Sequence, residues 1–266
     1  MLTLDDFKAA LDKLELENKP AIAHASLKSF GAIQGGAETV LNAFLASVSN
    51  LIMPAFTYKT MIIPEVGPPN NGLTYGRHLD LNRMAEPFHY DMPVDPLIGT
   101  LPETLRHDPR AMRTSHPILS FAGVNAINTL NVQTIYNPFA PIGALADRDG
   151  WVLLLGVDHT VNTSIHYGER LAGRRRFVRW ALTRKRVVEC PEFPGCSDGF
   201  DAIRPDIEHI TRRAEIGESF IEAIPLHPML QVVEASIKKN PLALLCQRET
   251  CERCDAVRMV TNTVRV

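Results

Sequence analysis

The chain has almost no excess of charge. Its 28 Lys and Arg stand against 30 Asp and Glu, a net charge of −2 over 266 residues. No global field therefore favours nucleic acid or an anionic membrane. No apolar run approaches the roughly 20 residues needed to span a bilayer. The N-terminal MLTLDDFKAALDKLELENKP lacks the basic segment and apolar core of a secretory signal, so a cytoplasmic location is the expectation. Internal repeats and low-complexity tracts are also missing. What remains is the composition of an ordinary globular protein, 45% hydrophobic and 22% charged, long enough to bury a substantial core.

Periodicity gives an α/β beginning. Leu4–Leu16 reads as an amphipathic helix, Pro20–His24 as a short buried strand, Ala37–Val48 as a second helix opened by Gly35-Gly36, and Asn50–Pro54 as the next strand. From Tyr58 to Pro96 the pattern dissolves into Pro, Gly and Asn. A loop of that length in a compact domain reads as a binding lid or wall. Leu97–His107 returns to helical spacing and Ile118–Val124 reads as a strand. After Arg174 come a basic strand (Arg174–Trp180), the cysteines, and two helices. The expected organisation is an α/β/α sandwich with a mixed central sheet over residues 1–184. A small C-terminal subdomain, residues 185–266, is expected to pack on that core.

The richest stretch is Trp151–Glu169, WVLLLGVDHTVNTSIHYGE. Its apolar run, Val152–Leu155, is that of a strand buried on both faces. Asp158, His159, Thr163, Ser164, His166 and Glu169 follow within a dozen positions, where open α/β sheets place ligands. On a helix, His166 and Glu169 form an i, i+3 pair, and the carboxylate would orient the imidazole as a general base. Thr163 lies one turn earlier. His166 as a satisfied core histidine remains the competing reading, with Asp158 or Asn162 as a helix cap beside His159. Upstream, His24-Ala-Ser-Leu-Lys-Ser-Phe-Gly31 joins strand to helix with hydroxyls and permissive glycines. A purely steric turn explains that segment equally well.

Cys246-x4-Cys251-x2-Cys254 supplies three thiols, and Cys196 sits in a Pro-Gly-Cys-Ser-Asp-Gly turn. Four thiolates, Cys196, Cys246, Cys251 and Cys254, would close a tetrahedral structural zinc site, with Cys190 as the alternative to Cys246.

Taken in order, His24-Ala-Ser-Leu…Gly31…Gly35-Gly36-Ala37, Met53-Pro54-Ala-Phe-Thr57, Arg113-Thr-Ser-His-Pro117…Ser120-Phe121-Ala122, Pro141-Ile-Gly143, Asn162-Thr163-Ser-Ile-His166-Tyr-Gly-Glu169 and Gly195–Phe200 resemble the aminoglycoside 3-N-acetyltransferase family. The pyrophosphate loop of the other large acetyltransferase family, Arg/Gln-x-x-Gly-x-Gly/Ala, is absent. The resemblance implies acetyl-CoA as cosubstrate, with Ser26, Leu27, Phe30, Gly31 and Ser115 lining its site. It implies His166 as general base, oriented by Glu169, with His24 and Thr163 at the reaction centre. Some members carry a zinc near the C-terminus, which the cysteines match. The chain departs from the family at Gly168, where Ala is common, and across residues 58–96, where the acceptor would lie.

The expected reaction is direct acetyl transfer to the 3-amino group of an aminoglycoside, an antibiotic-resistance activity. Thr163 and backbone N–H groups near His24–Ser26 would polarise the thioester. Asp91, Asp95, Glu169 and Asp198 are the candidate carboxylates for a polycation. The alternatives are a non-antibiotic amine acceptor, a metal-dependent hydrolase using Asp158, His159 and His166, or a zinc-stabilised binding module. Partners are then a small-molecule amine and coenzyme A, with a homodimer allowed and no nucleic acid or membrane.

Overall fold

The computed structural model describes residues 1–76 and 79–263. In chain order the strands are β1 (Pro20–Ala25), β2 (Asn50–Pro54), β3 (Met61–Ile62), β4 (Met112–Arg113), β5 (Phe121–Val124), β6 (Trp151–Leu155), β7 (Phe177–Leu182), β8 (Val187–Phe193), β9 (Arg212–Ile216) and β10 (Ser219–Pro225). The helices are α1 (Leu4–Asp12), α2 (Gly36–Ser47), α3 (Leu79–Arg83), α4 (Thr100–His107), α5 (Ile127–Leu130), α6 (Ala140–Ala146), α7 (Ser164–Leu171), α8 (Arg204–Ile207), α9 (Leu226–Lys239) and α10 (Glu252–Thr263).

A seven-stranded sheet runs in the order β4-β5-β2-β1-β6-β10-β9. Its centre, β2-β1-β6, is parallel, and both flanks are antiparallel. The mixed sheet expected from the sequence is therefore present. Alternation along each strand divides the interior in two. Ala21, Ala23, Leu51, Met53, Leu153 and Leu155 face a core closed by Phe7 and Leu11 of α1, Val40 and Phe44 of α2, and Leu101 and Leu105 of α4. Ile22, Ile52, Val152 and Leu154 face the other core, with Ile142 and Leu145 of α6, Ile165 of α7, and Met229, Leu230 and Val233 of α9. Helices thus cover both faces, an α/β sandwich.

Local chemistry sets the boundaries. Thr3 and Asp6 form a reciprocal capping box at the start of α1, and the helix stops at Asp12, earlier than its apolar spacing suggests. Glu15, with φ +52°, then turns the chain toward β1. Strand β5 begins at Phe121 rather than Ile118, because the Ile118 and Leu119 N–H groups donate to His116 Nδ1 instead of a neighbouring strand.

The tail takes part in both sheets. The hairpin β7–β8 runs through position 185 and pairs with β3 to form a second, three-stranded sheet. Strands β9 and β10, which the sequence pattern does not reveal, complete the main sheet beside β6. Among the described residues, no helix is long and apolar enough to cross a membrane.

Candidate active site

Parallel neighbours β1 and β6 end side by side, and a cleft of about 500 Å³ opens at their C-terminal ends. Its wall comprises Ser26, Gly156, Val157, Asp158, Thr160, Val161, Arg204, Ser219 and Phe220. Gly156 has φ +58°, and a Cβ there would run into Ser29 Oγ, so the chain passes this point only as glycine. Asp158 accepts from the Thr160 N–H (2.9 Å) and caps the turn His159–Val161, as one of the two expected caps.

Register places His24, Leu154 and Glu222 on one rung of the sheet. His24 is 8% exposed, and its Nε2 has no hydrogen-bond partner. Burial, with His159 nearby, pushes its pKa down to about 3, so the ring is neutral. Fully buried Glu222 is held by Arg204 (2.6 Å) and Arg213 (2.5 Å). Arg204 also pairs with Asp201 (3.0 Å), whose carboxylate accepts from the His159 N–H (3.3 Å).

The pair expected on α7 is formed. His166 Nδ1 donates to Glu169 Oε2 at 2.7 Å, with both side chains buried. The imidazole lies between two rings, stacked on Phe139 (5.8 Å between centroids) and edge-on to Phe200 (4.7 Å). Burial lowers the His166 pKa, opposed by Glu169 and reinforced by Arg176 and Arg253, so the base form prevails at neutral pH. Glu169 accepts from Arg174 (2.9 Å) and faces Arg176 (3.6 Å), which itself donates to the His166 carbonyl. Burial alone would raise the Glu169 pKa, but the hydrogen bond from His166 and these arginines hold it below the usual carboxylate range. Among the described residues nothing bonds to His166 Nε2, which leaves that nitrogen for a reactant.

Thr163 sits immediately before α7, 7% exposed, and its carbonyl receives the His166 N–H (3.1 Å). Ser26 reaches the cleft, but its N–H donates to the Leu155 carbonyl (3.0 Å). That bond continues the β1–β6 ladder, so this N–H is not free to polarise a thioester as expected. Leu27, Phe30, Gly31 and Ser115 lie outside the cleft wall, and so do His24, Thr163, His166 and Glu169. Phe30 packs edge-on against Phe7 (5.6 Å) in the α1–α2 core. Gly31, with φ +68°, ends the turn that begins at Leu27, and Ser115 is exposed between β4 and β5. The sequence reading missed Arg174, Arg176, Arg253, Phe139 and Phe200 around the imidazole. The triple arginine five positions after Glu169 was the available signal.

The sulfurs of Cys196, Cys246, Cys251 and Cys254 all lie within 4.8 Å of one another, and all four residues are buried. Cys190 stands apart, its thiol directed at the Val188 carbonyl (3.9 Å) and pushed up to about 12 by burial. The donor set is thus four soft sulfurs without a fifth candidate, which fits a closed tetrahedral zinc.

A family model described as aminoglycoside 3-N-acetyltransferase matches residues 22–238. Aminoglycoside N(3)-acetyltransferase VII of Streptomyces paromomycinus is 31% identical over 166 residues, 58% of this chain and 56% of that protein. The SPbeta prophage-derived aminoglycoside N(3')-acetyltransferase-like protein YokD of Bacillus subtilis is 28% identical over 158 residues, 56% of this chain and 57% of that protein. The chain thus aligns with little more than half the length of these relatives. The crystal structure of aminoglycoside acetyltransferase AAC(3)-IVa superposes with a TM-score of 0.78 at 23% identity, covering 97% of each chain. AAC-IIIb, solved as a binary complex with CoASH, superposes with a TM-score of 0.72 at 19% identity, covering 89% of this chain and 96% of that one. At such identities these likenesses establish the fold. With four-fifths of the sequence inside the family match, the chain belongs to the aminoglycoside 3-N-acetyltransferase family.

Proposed function

We propose that this chain is an acetyl-CoA-dependent N-acetyltransferase with His166 as its general base. The observation that carries the reading is the buried 2.7 Å bond from His166 Nδ1 to Glu169, which leaves Nε2 open. An acceptor amine is protonated near neutral pH and must lose a proton before it attacks a thioester. A neutral imidazole suits that task and contributes roughly 10²- to 10⁴-fold.

His166 Nε2 takes the amine proton, directly or through water, while Glu169 holds the opposite N–H and the resulting imidazolium. The nitrogen adds to the acetyl carbonyl, the carbon–sulfur bond breaks, the departing thiolate receives the proton held by His166, and the second proton lost from the protonated amine passes to solvent. The amide and free coenzyme A are the products. Thr163 and the unpartnered His24 Nε2 are the candidate donors to the developing oxyanion. All five cysteines are buried and four of them cluster together, which favours transfer within a ternary complex over an acyl-enzyme. Cys196, Cys246, Cys251 and Cys254 would hold a structural zinc, which fixes α10 to the Cys196 turn and takes no part in the reaction.

The relatives' names bring the 3-amino group of an aminoglycoside to the front as acceptor. A second reading, an amine of another kind, is favoured by one observation: Arg253, whose hydrogen bond among the described residues is to the Gly195 carbonyl and which has no ion-pair partner there, acts on both His166 and Tyr58. Thiol release from acetyl-CoA against aminoglycosides and simple amines tests the chemistry. His166→Ala is expected to abolish turnover with coenzyme A binding near normal. Wild-type-like turnover in that variant removes the base assignment.

A further inference from the structure

Two of the four carboxylates expected to hold a polycation, Glu169 and Asp198, are ion-paired. Glu169 is already neutralised by His166, Arg174 and Arg176. Of the other carboxylates expected to hold a polycation, Asp198 pairs with Arg248. Asp91 is exposed in the fields of Arg106 and Arg113. Asp95 accepts from the Leu97 N–H (3.0 Å) and faces Tyr58.

Arg253, on the first turn of α10, has no acidic partner among the described residues. Its Nη1 donates to the Gly195 carbonyl (2.8 Å), in the loop leading to Phe200, the ring edge-on to His166. Its backbone packs under Gly72, where an added Cβ would come within 2.9 Å of the Arg253 Cα. No hydrogen bond among the described residues engages its Nε and Nη2. Those two parallel N–H groups form the edge of a guanidinium that grips a carboxylate or phosphate side-on. Its charge acts on both His166 and Tyr58. Nearby Arg179 gives its N–H groups to the carbonyls of Asn71, Gly72 and Val178 and stacks over Phe193 (4.9 Å). Among the described residues its charge likewise meets no ion-pair partner within 4 Å, although Glu252 acts on it. Neither Glu252 nor Asp95, which acts on Tyr58, engages the Nε–Nη2 edge of Arg253, which stays open to an anion.

Resting on the acyl-transfer reading above, we propose that the acceptor is an amine that also bears an anionic group, a carboxylate or a phosphate, received by Arg253 while His166 takes the proton from nitrogen. The transfer step is unchanged: a carbon–nitrogen bond replaces the carbon–sulfur bond, and coenzyme A leaves as the thiol.

The test is thiol release from acetyl-CoA by the full chain with four acceptors: glucosamine, glucosamine 6-phosphate, glucosaminic acid and a polycationic aminoglycoside. The expected result is a kcat/KM for one or both anionic amines at least tenfold above that of glucosamine and of the polycation. The phosphate and carboxylate arms separate the two anions. In Arg253→Glu the ratio of anionic to neutral acceptor falls at least tenfold, largely through the acceptor KM, and Arg253→Lys restores part of it. Thermal melts accompany both variants because Cys251 and Cys254 flank the position. If Arg253→Glu does not fold, Arg253→Gln reads the same ratio. Preference for the polycation, or an unchanged ratio in the folded variant, overturns the proposal while acyl transfer stands. Thiol release with none of the amines overturns acyl transfer and this proposal together.

Discussion

Replacing Glu169 by Gln isolates the pair on which the site is built. The carboxylate is 1% exposed and faces three groups: His166 Nδ1 at 2.7 Å, Arg174 at 2.9 Å and Arg176 at 3.6 Å. The amide keeps the shape and loses the charge, so Arg174 and Arg176, with side chains 2% and 8% exposed, remain buried without their anion. Breaking a buried ion pair by removing one partner costs about 3–5 kcal/mol. At roughly 2–4 °C per kcal/mol for a chain of this size, the melting temperature should fall by about 6–20 °C. Glu169 also favours the imidazolium form of His166. Its loss therefore moves the acid limb of the kcat/KM profile to lower pH, while turnover falls because nothing orients the ring or holds its positive form. Thermal melts and pH–rate profiles of the purified variant read both effects. A double substitution, Glu169→Leu with Arg174→Met, should cost less than Glu169→Leu alone, since it leaves one orphaned arginine, Arg176, instead of two. A Glu169→Gln protein that melts within about 2 °C of the parent, with an unmoved acid limb, refutes the reasoning.

Buried neutral histidines set a pH dependence of stability. His24 and His116 are pushed down by burial to about 3 and about 4, so between those values and 6.5 the unfolded chain binds more protons. Their contribution is complete above pH 6.5 and lost as pH falls, at about 1.4 kcal/mol per pH unit for each ring in the linear range. Urea melts between pH 7.5 and pH 5 check this, and His116→Asn, whose Oδ1 can accept the Ile118 and Leu119 N–H groups, should remove one proton's worth of slope. At Gly168 an added Cβ would meet Val233 Cγ1 at 2.6 Å and Cβ at 2.9 Å, so Gly168→Ala forces α7 from α9 and should cost about 1–3 kcal/mol by chemical denaturation. Metal analysis should find one zinc per chain, lost in Cys254→Ser. A chelator should lower the melting temperature before it lowers activity in the folded protein, and a metal-free chain of unchanged stability counts against the site.

The parallel centre of the sheet was legible because each of its strands is a compact apolar run: Ala21–Ala23, Leu51–Met53 and Val152–Leu155. Strands β9 and β10 were not. Arg212, Arg213 and Glu215 make three charges in the five residues of β9, and Glu222 interrupts the apolar run of β10. Arg204 and Arg213 neutralise Glu222 inside the fold, so a residue that reads as surface is wholly buried. The His166–Glu169 pair and the four-cysteine set were readable because each depends on spacing within one or two short segments. The clustering of Arg179 and Arg253 was not, since they come together only through the pairing of β7 with β3 and the docking of α10. Of the carboxylates expected to meet a polycation, Glu169 and Asp198 are ion-paired in the fold, because sequence counts carboxylates but not the cations beside them.

The position of β6 constrains how the chain comes to be built. Its partners are β1, far upstream, and β10, far downstream. During synthesis the strand that carries His166 at its exit emerges with one edge still bare, and the missing neighbour is made only after β9. Until then unpaired N–H and C=O groups line an apolar ribbon, the kind of edge that recruits other chains. Loss of residues beyond Ile216 would therefore do more than remove three of the clustered cysteines, because it would open the main sheet beside β6. Such non-local pairing also places this protein among slow folders that gain from chaperone protection during assembly.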